Sequence, residues 1–458
     1  MMKYRRASIA IALTSILALP AVSFAAVSAE EAEKLGKELT CVGAEQAGNA
    51  AGTIPPYTGK YLGEVPGWNH VPHSGSHPVD PYADEQPRIV VTAANYKEHA
   101  EFLSEGQKAM FVKHPETYRM EVYPSHRDFR YPDMVCERAK WNALNAKVVD
   151  DGYGVEGIAH NLFPIPQSAM EVLWNHQLPY RDWTEDGVRD VITVSANGTK
   201  GYGRAHGVCL SMSNNPNETP YTDGVQSTCR TETILPTRDR GGASLIKEPF
   251  NFAKNSRLAW SYNAGTRRVR LAPGYGYDQS LSGSNGSLTI DEDRLFNGAP
   301  DRYNWRLVGK QEKFIPANGF RTESADIKYD DLLTTGHADP KYIRYEQRRV
   351  WVLEATLKES SRHVYGKRVM YLDEDTWHIV MADNYDTRGN LWKYAFINMY
   401  YHPDMSAWKA GSSYFHDLNT GDYVGYTLVN ERRHAGIINK GDLTESDFTP
   451  DRLRALGR

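Results

Sequence analysis

Six β-prone runs packed between Arg348 and Leu428 constrain the fold more than any other feature of the chain. RRVWVLEATL, RHVYGKRVMYL, WHIVMADNY, LWKYAFINMY, SSYFHDL and DYVGYTL follow one another with short polar or glycine-containing joints between them. In the first run Trp351, Leu353, Ala355 and Leu357 fall on one face and Val350, Val352, Glu354 and Thr356 on the other, a period of two. The joints Asp373-Glu374-Asp375, Asp386 to Asn390 and Asn419 to Asp422 carry turn residues. Connections this short force antiparallel neighbours, so the segment is expected to be a meander within one sheet. Its aromatic side chains, among them Trp351, Trp377, Trp392, Tyr394, Phe396 and Tyr400, require an apolar cover, either a helix or a ligand.

Upstream runs extend the same pattern. Glu171 to His176, Val191 to Ser195 and Gly203 to Met212 read as strands, with Asn197-Gly198 as a hairpin turn. Arg257 to Leu271 reads as a hairpin joined through Asn263-Ala264-Gly265, and Tyr303 to Ile315 adds one or two strands. The expected fold class is α+β, with a large curved antiparallel sheet over about residues 170–430. Residues 26–165 supply a few helices and an irregular arm to the same domain. Helices are expected over Val27 to Leu39, with Ser28 and Glu31 as a capping box, over Ala94 to His114, re-capped at Ser104, and over Trp141 to Val149. The Gly- and Pro-rich stretch from Val42 to Pro87 should be an arm without regular structure, ordered by Tyr57, Tyr61, Trp68 and Tyr82 packing on the body.

The N-terminus points to export. Lys3, Arg5 and Arg6 precede an apolar stretch from Ala7 to Leu19 and a Ser23-Phe24-Ala25 site, which predicts a signal peptide cleaved after Ala25. That stretch is shorter than the roughly 20 residues a membrane-spanning helix needs, so no span is expected. A net charge of −4 and the lack of a clustered basic face argue against nucleic acid as partner. Four cysteines in an oxidising space allow three pairings, of which Cys209 with Cys229 and Cys41 with Cys136 are expected.

The sequence carries few catalytic or metal-binding signals. His70, His73 and His77 lack the spacing of a metal site and read as solvated loop histidines. Asp373, Glu374 and Asp375 read as a hairpin turn rather than as paired catalytic carboxylates, and Asp383, Asp386 and Asn390 miss the order of a calcium loop. No G-x-S-x-G, P-loop or H-E-x-x-H occurs, so no catalytic residue, metal ligand or cofactor is expected. Arg267, Arg268 and Arg270 could meet a lipid head group or an anionic partner; outward-facing edge charges, with Arg349 among them, is the favoured reading.

Several stretches together resemble a known family. LGKELTCVGAEQAGNAAGTIPPYTG, DPYADEQPRIVVTAANY, ETYRMEVYPSHR, AWSYNAGTRRVRLAP, DRYNWRLVGKQEKFIPAN and RRVWVLEATLKESSRHVYGKRVMYLDEDTW with YDTRGNLW are similar to the proteobacterial domain-of-unknown-function family 1329, often labelled outer-membrane lipoprotein-sorting-protein-like. Cys41 is a departure, standing where relatives carry proline. The resemblance implies a LolA/LolB-like incomplete barrel closed by helices around an apolar cavity, and a periplasmic, non-enzymatic carrier of a lipid, lipoprotein or other hydrophobic molecule. It further implies an outer-membrane protein and a resistance-nodulation-division-type exporter as partners. The rival functions are a periplasmic hydrolase of an envelope component and a structural partner of an outer-membrane complex. If a cavity remains, Trp260, Tyr262, Trp305, Trp351 and Trp392 are its expected lining.

Overall fold

The computed structural model describes residues 27–60, 69–272, 277–281, 284 and 286–456. The expected signal peptide and the arm residues Tyr61 and Trp68 lie outside them. Sixteen of the strands join one sheet. Tyr345–Leu357, Lys367–Asp373, Ile379–Tyr385, Leu391–His402, Ala407–Asp417 and Tyr423–Leu428 are successive antiparallel neighbours, which is the expected meander. Its last strand pairs with Thr184–Val194. From there the sheet runs through Lys200–Leu210, Val225–Leu235, Ala243–Pro249 and Leu258–Asn263 to an edge at Arg268–Leu271.

At the other end Tyr303–Pro316, a single strand with a bulge between Leu307 and Gly309, lies along Tyr345–Leu357. The two ends do not pair, so the sheet is large, mostly antiparallel and open. One pairing is parallel: Tyr345 and Glu346 lie beside Val122 and Tyr123, which brings Met120–Tyr123 and Ile89–Val91 into the sheet.

The meander is covered on both faces, where the spacing had implied one. Cross-strand register sets Arg368, Asn384 and Lys393 on one face and Val369, Asp383 and Tyr394 on the other. Helix Glu105–Lys113 packs on the Asp383 face, its first turn held by Gly106 N donating to Asp383 Oδ1 at 3.1 Å. The opposite face carries the segment Thr289 to Phe296 and helix Ala169–Gln177. Residues Ile379 to Asn384 and Lys393 to His402 are consequently buried without interruption. A double cover turns the polar alternate positions of the strands into buried polar groups, each of which needs a partner.

Several element boundaries differ from expectation, for local reasons. The first helix is only Ala29–Ala32, although Ser28 and Glu31 do form its capping box. Residues 96–102 wind as a 3-10 helix, and Ser104 then caps Glu105–Lys113 with Gln107 closing the box. The helix expected from Trp141 is Asp133–Asn145, which begins after Pro132; the β-branched Val148 and Val149 belong to a short hairpin, Lys147–Val149 with Gly154–Glu156. Glu171 to His176, expected as a strand, is helical within Ala169–Gln177. Ser168 accepts from Glu171 N at 3.3 Å, so Ser-Ala-Met-Glu is an N-cap signal that outranks the apolar run following it.

The described arm residues have no helix or strand between Val42 and Pro87 and are fastened to the body. Tyr57 meets Phe129 edge-on at 5.1 Å and Tyr82 stacks on His126 at 4.1 Å. The three arm histidines are bonded to the body, His73 while remaining exposed. His70 Nε2 lies 2.7 Å from Asp404 Oδ1, His73 Nδ1 2.7 Å from the Ile438 carbonyl, and His77 bridges the carbonyls of Glu323 and Arg432. Both expected disulfides are present, Cys41–Cys136 and Cys209–Cys229.

Candidate functional site

The turn Asp373-Glu374-Asp375 is a hairpin turn, as read, but it is buried and lies at the centre of an ionic network. Arg127 meets Asp375 through two bonds of 2.8 and 2.7 Å, and Arg348 adds a third at 2.8 Å. Arg349, expected to face outward, is 9 % exposed and pairs with Glu374 and Glu45 instead. Burial pushes the Asp373 carboxyl up, aided by its neighbour Asp375 despite the opposing pull of Arg348. Burial also opposes ionisation of Asp375, yet Arg127 and Arg348 hold its pKa below the usual value. Every carboxylate here is committed to a cation of the fold, so the cluster is a structural clasp between arm and meander.

A different arrangement occupies the Arg368 face. Between Ser287 and Phe296 the chain forms neither strand nor α-helix, yet Leu288, Leu295 and Phe296 belong to the main apolar core. Charge-assisted hydrogen bonds fix this inserted segment. Arg368 Nη1 donates to Asp291 Oδ2 at 2.8 Å, Tyr365 Oη donates to Glu292 Oε1 at 2.7 Å, and Lys393 Nζ donates to the Ser287 carbonyl at 2.6 Å. Burial pushes the Asp291 pKa up, but Arg368 and His363 overcome it and hold the group down at about 2. Asp383, on the other face, is moved the opposite way: burial raises it to about 6 although Ser104 and Gly106 donate to it.

The five expected lining residues fall in three places. Trp305 meets Phe296 of the inserted segment edge-on at 5.0 Å and donates Nε1 to the Pro300 carbonyl at 2.9 Å. Trp392 reaches the same segment through Tyr365, 5.5 Å away. Trp351 shares a sheet face with Leu353 and Ala355 but lies under the arm, parallel to Trp377 at 6.3 Å and with Lys310 over its ring. Trp377 donates to the Val42 carbonyl at 2.9 Å, so the arm completes the core there. Trp260 and Tyr262 belong to a separate cluster with Val208, Leu245, Phe448 and Leu453, beneath the helix Pro450–Leu456.

The space expected as a cavity is thus filled by the arm and by the inserted segment. A cleft beside Asn142, Ala146, Leu162 and Phe163 has a volume of about 20 Å³, room for a single water. Residues 287–296 carry no strand or helix period in sequence. Thr289-x-x-Glu292 was the available signal, and in the structure Thr289 N donates to Glu292 Oε2 at 2.7 Å. Among the described residues no group of three metal-ligating side chains converges, and no helix is long and apolar enough to cross a membrane.

Fold and site together define a protein built on one open, mostly antiparallel sheet whose inner apolar face is closed by an inserted loop. The chain belongs to the family described as "Protein of unknown function (DUF1329)", whose model matches residues 90–454. It is 40% identical over 453 residues to the Pseudomonas aeruginosa protein PA3922, covering 97% of this chain and 98% of that one. Among solved structures it is similar to a putative outer membrane lipoprotein-sorting protein domain from Vibrio parahaemolyticus. That match has a TM-score of 0.43 and 16% identity, over 63% of this chain and 98% of the other. A LolA superfamily protein from Nitrosomonas europaea, NE2245, matches with a TM-score of 0.36 and 16% identity, over 63% of this chain and 100% of the other.

Proposed function

We propose that this chain is a periplasmic carrier for a hydrophobic molecule, a lipid or the acyl part of a lipoprotein, held against the sheet face that residues 287–296 now cover. The carrying observation is the nature of that cover. A segment without strand or α-helix contributes Leu288, Leu295 and Phe296 to the core, yet its anchors are side-chain bonds to Arg368 and Lys393 of the sheet and to Tyr365 in the connection before Lys367–Asp373. Burial of each such side chain stabilises by about 1.5–3 kcal/mol, and an apolar ligand taking the same surface recovers that free energy. The cover and the ligand then compete, and loading is an exchange of one apolar occupant for another.

On this reading Trp305 and Trp392 border the exchanged surface, and Trp351 extends it along its strand; Trp260 and Tyr262 would serve a second apolar patch. The two disulfides fit an oxidising compartment. Delivery to an outer-membrane protein or a resistance-nodulation-division-type exporter belongs to the same proposal.

Titration with N-phenyl-1-naphthylamine tests it. Saturable fluorescence enhancement is expected for the folded wild type, with tighter binding by Leu295→Ala, whose cover is weakened. If neither protein binds the probe, the carrier reading gives way to that of a structural partner; hydrolysis of a lipid ester would replace it with the hydrolase.

A further inference from the structure

The open wing of the sheet ends in two adjacent hairpin tips that carry an excess of arginine. Residues 236–242 join Val225–Leu235 to Ala243–Pro249, and residues 264–267 join Leu258–Asn263 to Arg268–Leu271. Ala243 pairs with Tyr262, so the tips lie side by side at one end of the sheet. A Cβ placed on Gly241 would stand 3.5 Å from that of Ala264. Arg238, Arg240, Arg267, Arg268 and Arg270 are all exposed there, against Asp239 as the one carboxylate of these two tips and the edge strand. This concentration occurs in a chain whose net charge is −4.

Arg238 is paired with Asp239 at 3.3 Å and Arg240 donates to the Ile234 carbonyl. The cross-strand neighbours of Arg268 and Arg270 are Asn263 and Ser261, which offer no charge. Protection of an edge strand accounts for Arg268 and Arg270. It does not account for Arg267, which sits in the turn at φ 54°, nor for Arg238 and Arg240 on the neighbouring tip. Tyr202 stands 48% exposed on the adjoining strand, two residues beyond the Arg204–Leu235 pairing where that tip begins.

We propose that this end of the wing docks the protein on a membrane surface rich in anionic phospholipid. A guanidinium fork takes two phosphate oxygens at once, which suits arginine over lysine in such a patch. Two adjacent hairpin tips and the edge strand bring these forks to one end of the sheet, and a phenol ring beside them suits the head-group layer. The surface is remote from the carrier site in the chain's topology and does not depend on that reading. Each arginine brought to an anionic surface strengthens binding by roughly fivefold at moderate salt.

The experiment is co-sedimentation of the full mature chain with vesicles of phosphatidylcholine, with and without phosphatidylglycerol. Binding is expected only to the vesicles containing phosphatidylglycerol, falling as salt is raised. Arg267→Gln/Arg268→Gln/Arg270→Gln should weaken it by about a hundredfold with unchanged thermal unfolding, while Arg306→Gln, an exposed arginine on the opposite edge strand, leaves it unchanged. Equal binding to neutral vesicles, no binding by the wild type, or an unaffected triple variant would overturn the proposal. Retention on immobilised polyglutamate without vesicle binding would also overturn it, in favour of an acidic polypeptide partner.

Discussion

The meander and the wing are parts of one sheet with the same strand chemistry, yet they are stabilised in different ways. Strands from Tyr345 to Leu428 are covered on both faces, and their polar residues, Arg348, Arg368, Asp383 and Asn398 among them, are buried and bonded. Strands from Lys200 to Leu271 have a small apolar cluster on one face, under Phe448 and Leu453, and a disulfide linking directly opposed residues, Cys209 and Cys229. Alternation of residue type has one meaning in the wing, where it separates core from solvent. In the meander it separates two kinds of interior.

The largest test of that contrast is Asp375→Ala. It strands Arg127 and Arg348 in a buried site and is expected to cost about 3–5 kcal/mol, read by urea unfolding. A loss below about 1 kcal/mol would show that the clasp is no better than a surface pair. Removing the wing's disulfide with Cys209→Ser/Cys229→Ser, a closure of 20 residues, should cost about 3 kcal/mol in the chain-entropy account. Hydrogen exchange should then rise in residues 200–271 and little in the meander; uniform loosening would deny the wing a stability of its own.

Acid should act on the inserted segment next. Asp291 is held at about 2, below its ordinary 3.8, so its stabilisation is complete above about pH 4 and is lost as pH falls through about 2. The contribution is about 2 kcal/mol. Exchange of the amides of residues 287–296 should accelerate over that window in the wild type but not in Asp291→Asn, which has already lost the interaction. The smallest effect is expected at Arg306→Ala, an exposed arginine on the edge strand whose partner Glu354 is half-buried on the neighbouring strand; the change should be within about 1 kcal/mol.

The sheet was legible because its strands are long and its joints carry Asn, Asp and Gly in turn positions, as at Asn197-Gly198 and Asp386 to Asn390. Burial was not legible. Asp373 to Asp375 read as a turn and is one, but nothing local shows that Arg127, some 250 residues earlier, covers it. Helix Ala169–Gln177 was missed because its buried residues run nearly all round it and leave no period to detect. Residues 287–296 escaped attention for a related reason: a segment whose partners are Arg368 and Lys393 on distant strands shows neither period in its own sequence. The choice of aromatic residues as lining treated tryptophan as a marker of one site, whereas Trp305, Trp351 and Trp260 serve three neighbourhoods.

The parallel contact of Val122 and Tyr123 with Tyr345 and Glu346 bears on how the chain reaches its native state. The first third of the protein cannot add its strands until the last third has been made and folded, since the edge it docks on does not exist earlier. Val42 must wait for Trp377, and His77 for Arg432. A polypeptide emerging N-terminus first therefore carries an unsatisfied leading segment for most of its synthesis. Contacts of such long sequence separation make folding slow. During that interval the leading segment is open to proteases and to holding chaperones, and production of this protein depends on how long that interval lasts.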